Sequence, residues 1–302
     1  MPSMRAKLVN RYLRTTMKRL PLHEIEAPKL RSIFEKRLVP GLPKDVALET
    51  IGGPVSGEWH RPEQTEPARN GRLRVILYLH GGGYVFGSPR THRSLTFPLA
   101  KAAGADVFSL DYRLAPEHPC PAAIEDALAA YQWLRASDYE PSQIAIAGDS
   151  AGGGLALATL QALRQRGQPL PGAAVLYSPY TDLAVEGASA ERNAQSDVMF
   201  QLESVRLGAI NYAGDLATKD PRASPLYGDM AGLPPMLVFA STSEILYDDA
   251  TRLVKKAERE GVNVSFVKRD GLAHIWPYFH TLMPEAKEDV ARSGVFIRHY
   301  TS

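Results

Sequence analysis

"QIAIAGDSAGGGLALATL", residues 143–160, decides the fold. An apolar run closes on Gly148, Asp149-Ser150-Ala151 follow, and three glycines lead into a leucine- and alanine-rich run. A buried strand turning sharply into a helix accounts for the crowding. At such a junction the two backbones approach so closely that a Cβ would clash or forbid the dihedrals. Residues 148–152 match G-x-S-x-G, in which the serine stands on a strained turn with its hydroxyl exposed. The helix then begins beside the serine, with unpaired N–H groups at its start. Gly153 and Gly154 exceed the motif and predict close packing of the helix start, at a cost in helix propensity. A phosphate-binding turn is the competing reading. No lysine follows Gly153, however, and Leu157 and Phe86 stand where the two glycine runs would need the last glycine of G-x-G-x-x-G.

Outward from this stretch, apolar segments alternate with helical ones. Strands are expected at 46–51, 73–79, 105–110, 143–148, 173–178, 236–241 and 262–267, several of them continuously apolar as in strands buried on both faces. Helical patterns fill 91–103, 122–136, 151–166 and 246–260, so the sheet should be mostly parallel and covered on both sides. The first strands, separated by the turn-rich "IGGPVSGEWHRPEQ", are expected as an antiparallel edge. Near the N-terminus, Met4, Leu8, Tyr12, Leu13, Met17 and Leu20 recur at helical spacing, and a second helix is read over about 28–38. Residues 183–235 hold no strand pattern, only a helix near 200–213 among proline-rich loops. The expected organisation is a core of 46–182 and 236–302, with 1–45 and the insertion 183–235 forming a cap.

A second motif strengthens the first. In "LYLHGGGYVFG", residues 77–87, a buried strand ends in His80-Gly81-Gly82-Gly83, a run whose N–H groups can face an oxyanion without side-chain obstruction. His80 is read as a hydrogen-bonded anchor of that loop. "HGGGY", "DYRLAPEHPCPAA" (111–123) and "GDSAGG" together resemble the hormone-sensitive lipase-like esterases, in the branch with a GDSAG box. The resemblance runs from about residue 73 to the C-terminal helix. It implies an α/β-hydrolase fold: a mostly parallel eight-stranded sheet, helices on both faces and a helical cap. It also implies hydrolysis of carboxylic esters without a cofactor, with short- to medium-chain acyl groups as the expected substrates.

Chain order in this fold is nucleophile, acid, histidine, so the base must follow Ser150 and the acid. His274, in a loop after the 262–267 strand, lies at the sheet edge that carries the other motifs and matches the family's histidine. His280 and His299 fall on helical patterns and read as surface residues. The family commonly shows Asp-Pro-Leu-x-Asp after the preceding strand, whereas this chain has "STSEILYDDA". Aligning Leu246 places Glu244 at the catalytic acid and Asp248 at the second acidic position. Asp248 and Asp249 then fall in the first turn of a helix, where negative charge suits the dipole. The expected machinery is Ser150, His274 and Glu244, with the N–H groups of Gly82, Gly83 and Ala151 as oxyanion hole. Glu117 and Asp126 read as braces of their loops through charge-assisted bonds with residues such as Arg113.

Bulk properties limit the alternatives. The chain has 302 residues, 44% apolar and 23% charged, with a net charge of +2, so no global field argues for nucleic acid. No apolar run approaches a membrane span, and the first 20 residues carry six Lys or Arg without the apolar core of a secretory signal. The single cysteine, Cys120, excludes an internal disulfide and fits a reducing cytoplasm. No metal-ligand spacing occurs. An amidase, deacetylase or acyltransferase would use the same triad, a ligand-binding protein the same scaffold, and a homodimer is compatible with all of these.

Overall fold

The computed structural model describes residues 1–36, 41–68 and 71–301. Eight strands form one sheet: β1 (Val46–Ile51), β2 (Gly57–Pro62), β3 (Val75–Leu79), β4 (Asp106–Leu110), β5 (Ile144–Asp149), β6 (Ala173–Tyr177), β7 (Met236–Ser241) and β8 (Val264–Arg269). Their spatial order is β1-β2-β4-β3-β5-β6-β7-β8. The β1–β2 and β2–β4 pairs are antiparallel, and the rest are parallel. The chain leaves β3 toward one side of the sheet and leaves β5 toward the other. Ligands of open α/β sheets bind at such a reversal, outside the carboxyl ends of the strands. That is where Gly81–Gly83 and Ser150 stand, because the register sets Leu79 opposite Gly148.

The helices are α1 (Met4–Thr16), α2 (Ala27–Glu35), α3 (Arg93–Ala103), α4 (Ala122–Ala136), α5 (Ala151–Gln165), α6 (Ser189–Arg192), α7 (Leu202–Ala213), α8 (Tyr247–Arg259) and α9 (Pro284–Tyr300). Alternate residues of each central strand enter opposite cores. Val75, Leu77 and Leu79 of β3 join Leu155 of α5, Leu128 of α4 and Leu253 of α8. Ile76 and Tyr78 join Leu99 of α3 and Val290 of α9. Both faces are therefore dry, and the strands can be apolar throughout.

Three expectations change. The turn-rich stretch before β3 contains a full strand, β2, whose Glu58 and His60 are buried against Arg93. The last strand runs Val264–Arg269 rather than 262–267. In α1 the buried residues are Ala6 and Leu13, with Met17 just beyond, while Met4, Leu8 and Tyr12 are exposed. The second helix is described to Glu35, and its expected end at 38 lies outside the described residues.

The N-terminal segment and the insertion meet above the carboxyl ends of the strands. Lys18 Nζ donates to Ala194 O at 2.7 Å and also to Phe200 O, and Gln201 Nε2 donates to Lys18 O at 2.9 Å. Leu13, Met17, Val198, Met199 and Ala273 share a small apolar cluster there.

Candidate active site

Ser150 sits at φ 53°, ψ −120°, a left-handed region that costs a non-glycine residue of order 1–3 kcal/mol unless its surroundings hold it. They do. Its N–H donates to Tyr177 O at 2.8 Å, and its carbonyl accepts from Gly153, Gly154 and Tyr180 N–H at 2.9–3.1 Å. The glycines permit this packing. A Cβ on Gly152 would lie 2.0 Å from Leu79 O, and one on Gly154 would lie 2.0 Å from Tyr180 O.

The loop after β3 is fixed from beneath. Gly81 N–H donates to Asp149 Oδ1 at 3.1 Å and to His92 Nε2 at 3.2 Å, and Tyr78 Oη donates to the same Asp149 oxygen at 2.5 Å. His80 is buried, bonded through Nδ1 to Gly81 O at 2.9 Å and stacked on Tyr112 at 4.2 Å. Burial, helped by the neighbouring His92, pushes its pKa down to about 3, so it stays neutral at working pH. Gly82 and Gly83 adopt φ +122° and +61°, and among the described residues no protein group accepts from their N–H groups. Ala151 is the first residue of α5, where an N–H has no partner inside the helix.

At the ends of β7 and β8, His274 Nδ1 lies 2.5 Å from Glu244 Oε2, with both side chains fully buried. The other carboxylate oxygen of Glu244 accepts from Ser241 N–H at 2.8 Å. Burial opposes the imidazolium, but the hydrogen bond and charge of Glu244 outweigh it and hold His274 above the usual histidine range. His274 Nε2 is buried without a hydrogen-bond partner among the described residues. Ser241 Oγ donates to Leu272 O at 2.6 Å, and Ile275 N–H donates to Ser178 Oγ at 3.1 Å, tying the acid and histidine loops to each other and to β6. Ile275 also has a positive φ, 48°.

Sequence reasoning missed the side chains that hold the acid turn. Asn193 Nδ2 donates to Thr242 O at 2.9 Å and to Glu244 O at 2.8 Å. Asp197 Oδ2 accepts from Ile245 N–H at 3.0 Å, Ser189 Oγ donates to Ile245 O at 2.7 Å, and Ser196 Oγ donates to Ser243 O at 2.9 Å. All four belong to the 183–235 insertion, which also sets Phe200 edge-on to His274 at 5.2 Å. No motif marks them, because each acts on backbone about fifty residues away.

Other expected residues resolve as follows. Asp248 and Asp249 lie in the first turn of α8. Asp248 accepts from Ser189 N–H, and buried Asp249 accepts from Thr181 and Asp182 N–H at 2.8 Å, so both also anchor neighbouring backbone. Asp126 grips Arg113 at 2.8 Å, whereas Glu117 pairs with Arg31 and not with Arg113. Burial raises the Cys120 thiol to about 11. His280 follows a one-turn helix, His299 is on α9, and neither lines the cavities at Ser150.

Two cavities meet at Ser150, which lines both together with Gly82, Phe86 and Phe200. One extends past Leu30, Val85, Tyr180, Val205 and Leu246. The other holds His274 and runs under Leu13, Met17, Phe34, Met199 and Tyr278. Phe34 stacks on Phe86 at 4.2 Å where they join. The arrangement suits acyl transfer: a strained hydroxyl, a carboxylate-bound imidazole and free N–H groups converge on a largely apolar junction. Among the described residues no set of three His, Cys, Asp or Glu gathers as metal ligands.

The α/β-hydrolase fold family matches residues 76–278. An acetyl-hydrolase of Streptomyces hygroscopicus is 43% identical over 82% of this chain and 81% of its own. The crystal structure of an esterase from the bacterial hormone-sensitive lipase family superposes with a TM-score of 0.91 at 41% identity, covering all of both chains. The esterase EstE5, soaked in p-nitrophenyl butyrate, gives 0.92 at 36% identity over 99% of each chain. By fold, site geometry and these relatives, the chain belongs to the hormone-sensitive lipase-like esterases of the α/β-hydrolase family.

Proposed function

We propose that the protein hydrolyses short- to medium-chain carboxylic esters through Ser150, His274 and Glu244. The buried Glu244–His274 bond beside an unpaired Nε2, in the cavity that Ser150 lines, carries this reading. Ser150 Oγ attacks the ester carbonyl carbon as its proton passes to His274 Nε2, and Glu244 keeps the proton on Nδ1 and stabilises the imidazolium. The N–H groups of Gly82, Gly83 and Ala151 receive the oxyanion, and losing one such donor typically costs about 3–4 kcal/mol of transition-state stabilisation. The C–O bond then breaks, and His274 returns its proton to the leaving alkoxide. Water repeats the sequence on the acyl-enzyme, so ester and water become acid and alcohol with no other reactant.

The proton must reach the leaving oxygen from His274. The alcohol therefore occupies the His274 cavity, and the acyl chain takes the one lined by Leu30, Val85 and Val205. The N-terminal segment and residues 183–235 act as the cap that closes both. As the family resemblance implies, rates should fall steeply beyond roughly eight acyl carbons. The lone buried thiol supports cytoplasmic residence.

Ser150→Ala should abolish turnover of p-nitrophenyl butyrate while the thermal transition persists. A fluorophosphonate should label Ser150 in the parent chain only. Normal turnover by the alanine variant overturns the mechanism.

A further inference from the structure

Helix α1 has two apolar faces. Ala6 turns inward to the core cluster of Leu272, Met283 and Ala286, and Leu13, with Met17 beyond the helix end, to that of Val198, Met199 and Ala273. Met4, Leu8 and Tyr12, at i, i+4 and i+8, are 71%, 63% and 65% exposed. At 100° per residue they span about 80° of the helix, opposite the buried side. Arg5 flanks this stripe on one side, Lys7 and Arg11 on the other. Arg5, Lys7, Arg11 and nearby Arg19 form no ion pair among the described residues. Arg14 and Lys18 differ: they donate to carbonyls of 194–200 and serve the fold. No Asp or Glu precedes Glu24.

We propose that α1 docks through Met4, Leu8 and Tyr12 onto an anionic lipid surface. An exposed apolar stripe between unpaired cations matches a helix lying in the boundary between acyl chains and acidic headgroups. A second copy of the chain fits worse. A two-fold contact through this stripe would set Arg5, Lys7 and Arg11 against their own equivalents, with no acid on the helix to offset them. The stripe is short, so binding is weak, reversible and salt-sensitive. Its consequence rests on the esterase reading. Leu13 and Met17, on the inner side of the same segment, line the His274 cavity, so docking sets that cavity against the lipid, where apolar esters partition.

The test is co-sedimentation of the full chain with phosphatidylcholine vesicles, with or without about one-third phosphatidylglycerol. The partition coefficient should be at least about tenfold higher on the anionic vesicles and collapse at on the order of 0.5 M salt. A Met4→Ser, Leu8→Ser, Tyr12→Ser variant should lose that gain, as should Arg5→Gln, Lys7→Gln, Arg11→Gln. Both should hydrolyse soluble p-nitrophenyl butyrate at the parental rate, which separates this test from that of the mechanism. Three results overturn the proposal: no sedimentation of the parent with anionic vesicles, sedimentation that neither variant reduces, or a parental dimer that the serine variant dissociates.

Discussion

Ser150 and Glu244 stand at the ends of two strands of one sheet, both buried, yet they are held by different means. The serine turn is held by backbone hydrogen bonds that only side-chain-free positions allow: Gly152 packs on the backbone of Leu79 and Gly154 on that of Tyr180. The acid turn is held by hydrogen bonds from Ser189, Asn193, Ser196 and Asp197, donated or accepted across a long sequence separation. Steric demands of a local turn leave a trace in local composition. Hydrogen bonds from a distant insertion leave none, because any polar residue of the right reach could supply them. The insertion thus both lines the pocket and holds the Glu244 turn.

The strongest break of this comparison is Glu244→Gln. An amide favours the wrong imidazole tautomer, and the equivalent change in a serine protease costs about 10⁴-fold in kcat. The pH dependence should move as well. In the proposed mechanism catalysis needs neutral His274, so kcat/KM should fall as pH drops through its pKa. Glu244 holds that pKa up against burial. Removing the carboxylate leaves burial opposed only by the weaker charges of Asp197 and Asp149, and the acid limb should shift to lower pH. An unmoved limb with parental kcat would assign the acid elsewhere.

Gly152→Ala comes next. Its Cβ would meet Leu79 O at 2.0 Å and His80 O at 2.5 Å, both backbone atoms that no rotamer change can move. Overpacking of this kind costs about 1–3 kcal/mol. A displacement of the oxyanion loop by 1 Å costs about 10²-fold in rate. Gly41, with open space where a Cβ would go, serves as the control and should accept alanine without loss. Parental activity in Gly152→Ala would mean that the serine turn is not sterically set.

How much was legible follows from these two regions. The sheet and its central helices were readable because strands dry on both faces are continuously apolar, and the glycine runs marked both loops of the serine side. β2 was hidden because Glu58 and His60 satisfy each other at 3.1 Å with Arg93 alongside, so buried polar residues read as surface. In α1, Met4-Leu8-Tyr12 and Ala6-Val9-Leu13 both fit helical spacing, and periodicity cannot choose which face meets the protein. Glu244 and His274 could be singled out by chain order and family pattern, and the fold brings them to 2.5 Å. Asn193 and Asp197 could not, since their role exists only once the insertion has folded back over the acid turn.

The smallest effect probes that fold-back directly. Asn193 is buried, and its amide gives both hydrogens to the turn, to Thr242 O and to Glu244 O. Asn193→Ala takes from Thr242 O its side-chain partner and leaves Glu244 O with Tyr247 N–H at 3.3 Å, at about 1–3 kcal/mol of stability. The loosened turn should lower kcat about tenfold, equivalent to about 1.4 kcal/mol in the barrier. KM for a short ester should hold, because Asn193 lines neither cavity at Ser150. The acid limb should again move to lower pH, by less than in Glu244→Gln, because a longer Glu244–His274 bond supports the imidazolium less. Asn193→Asp is the sharper variant. It preserves size but brings no donor, setting a carboxylate against two carbonyl oxygens, so it should do no better than alanine. If both variants lower only the melting temperature, with kcat and the acid limb unchanged, the acid turn is aimed without the insertion. The contrast between the two turns would then reduce to packing alone.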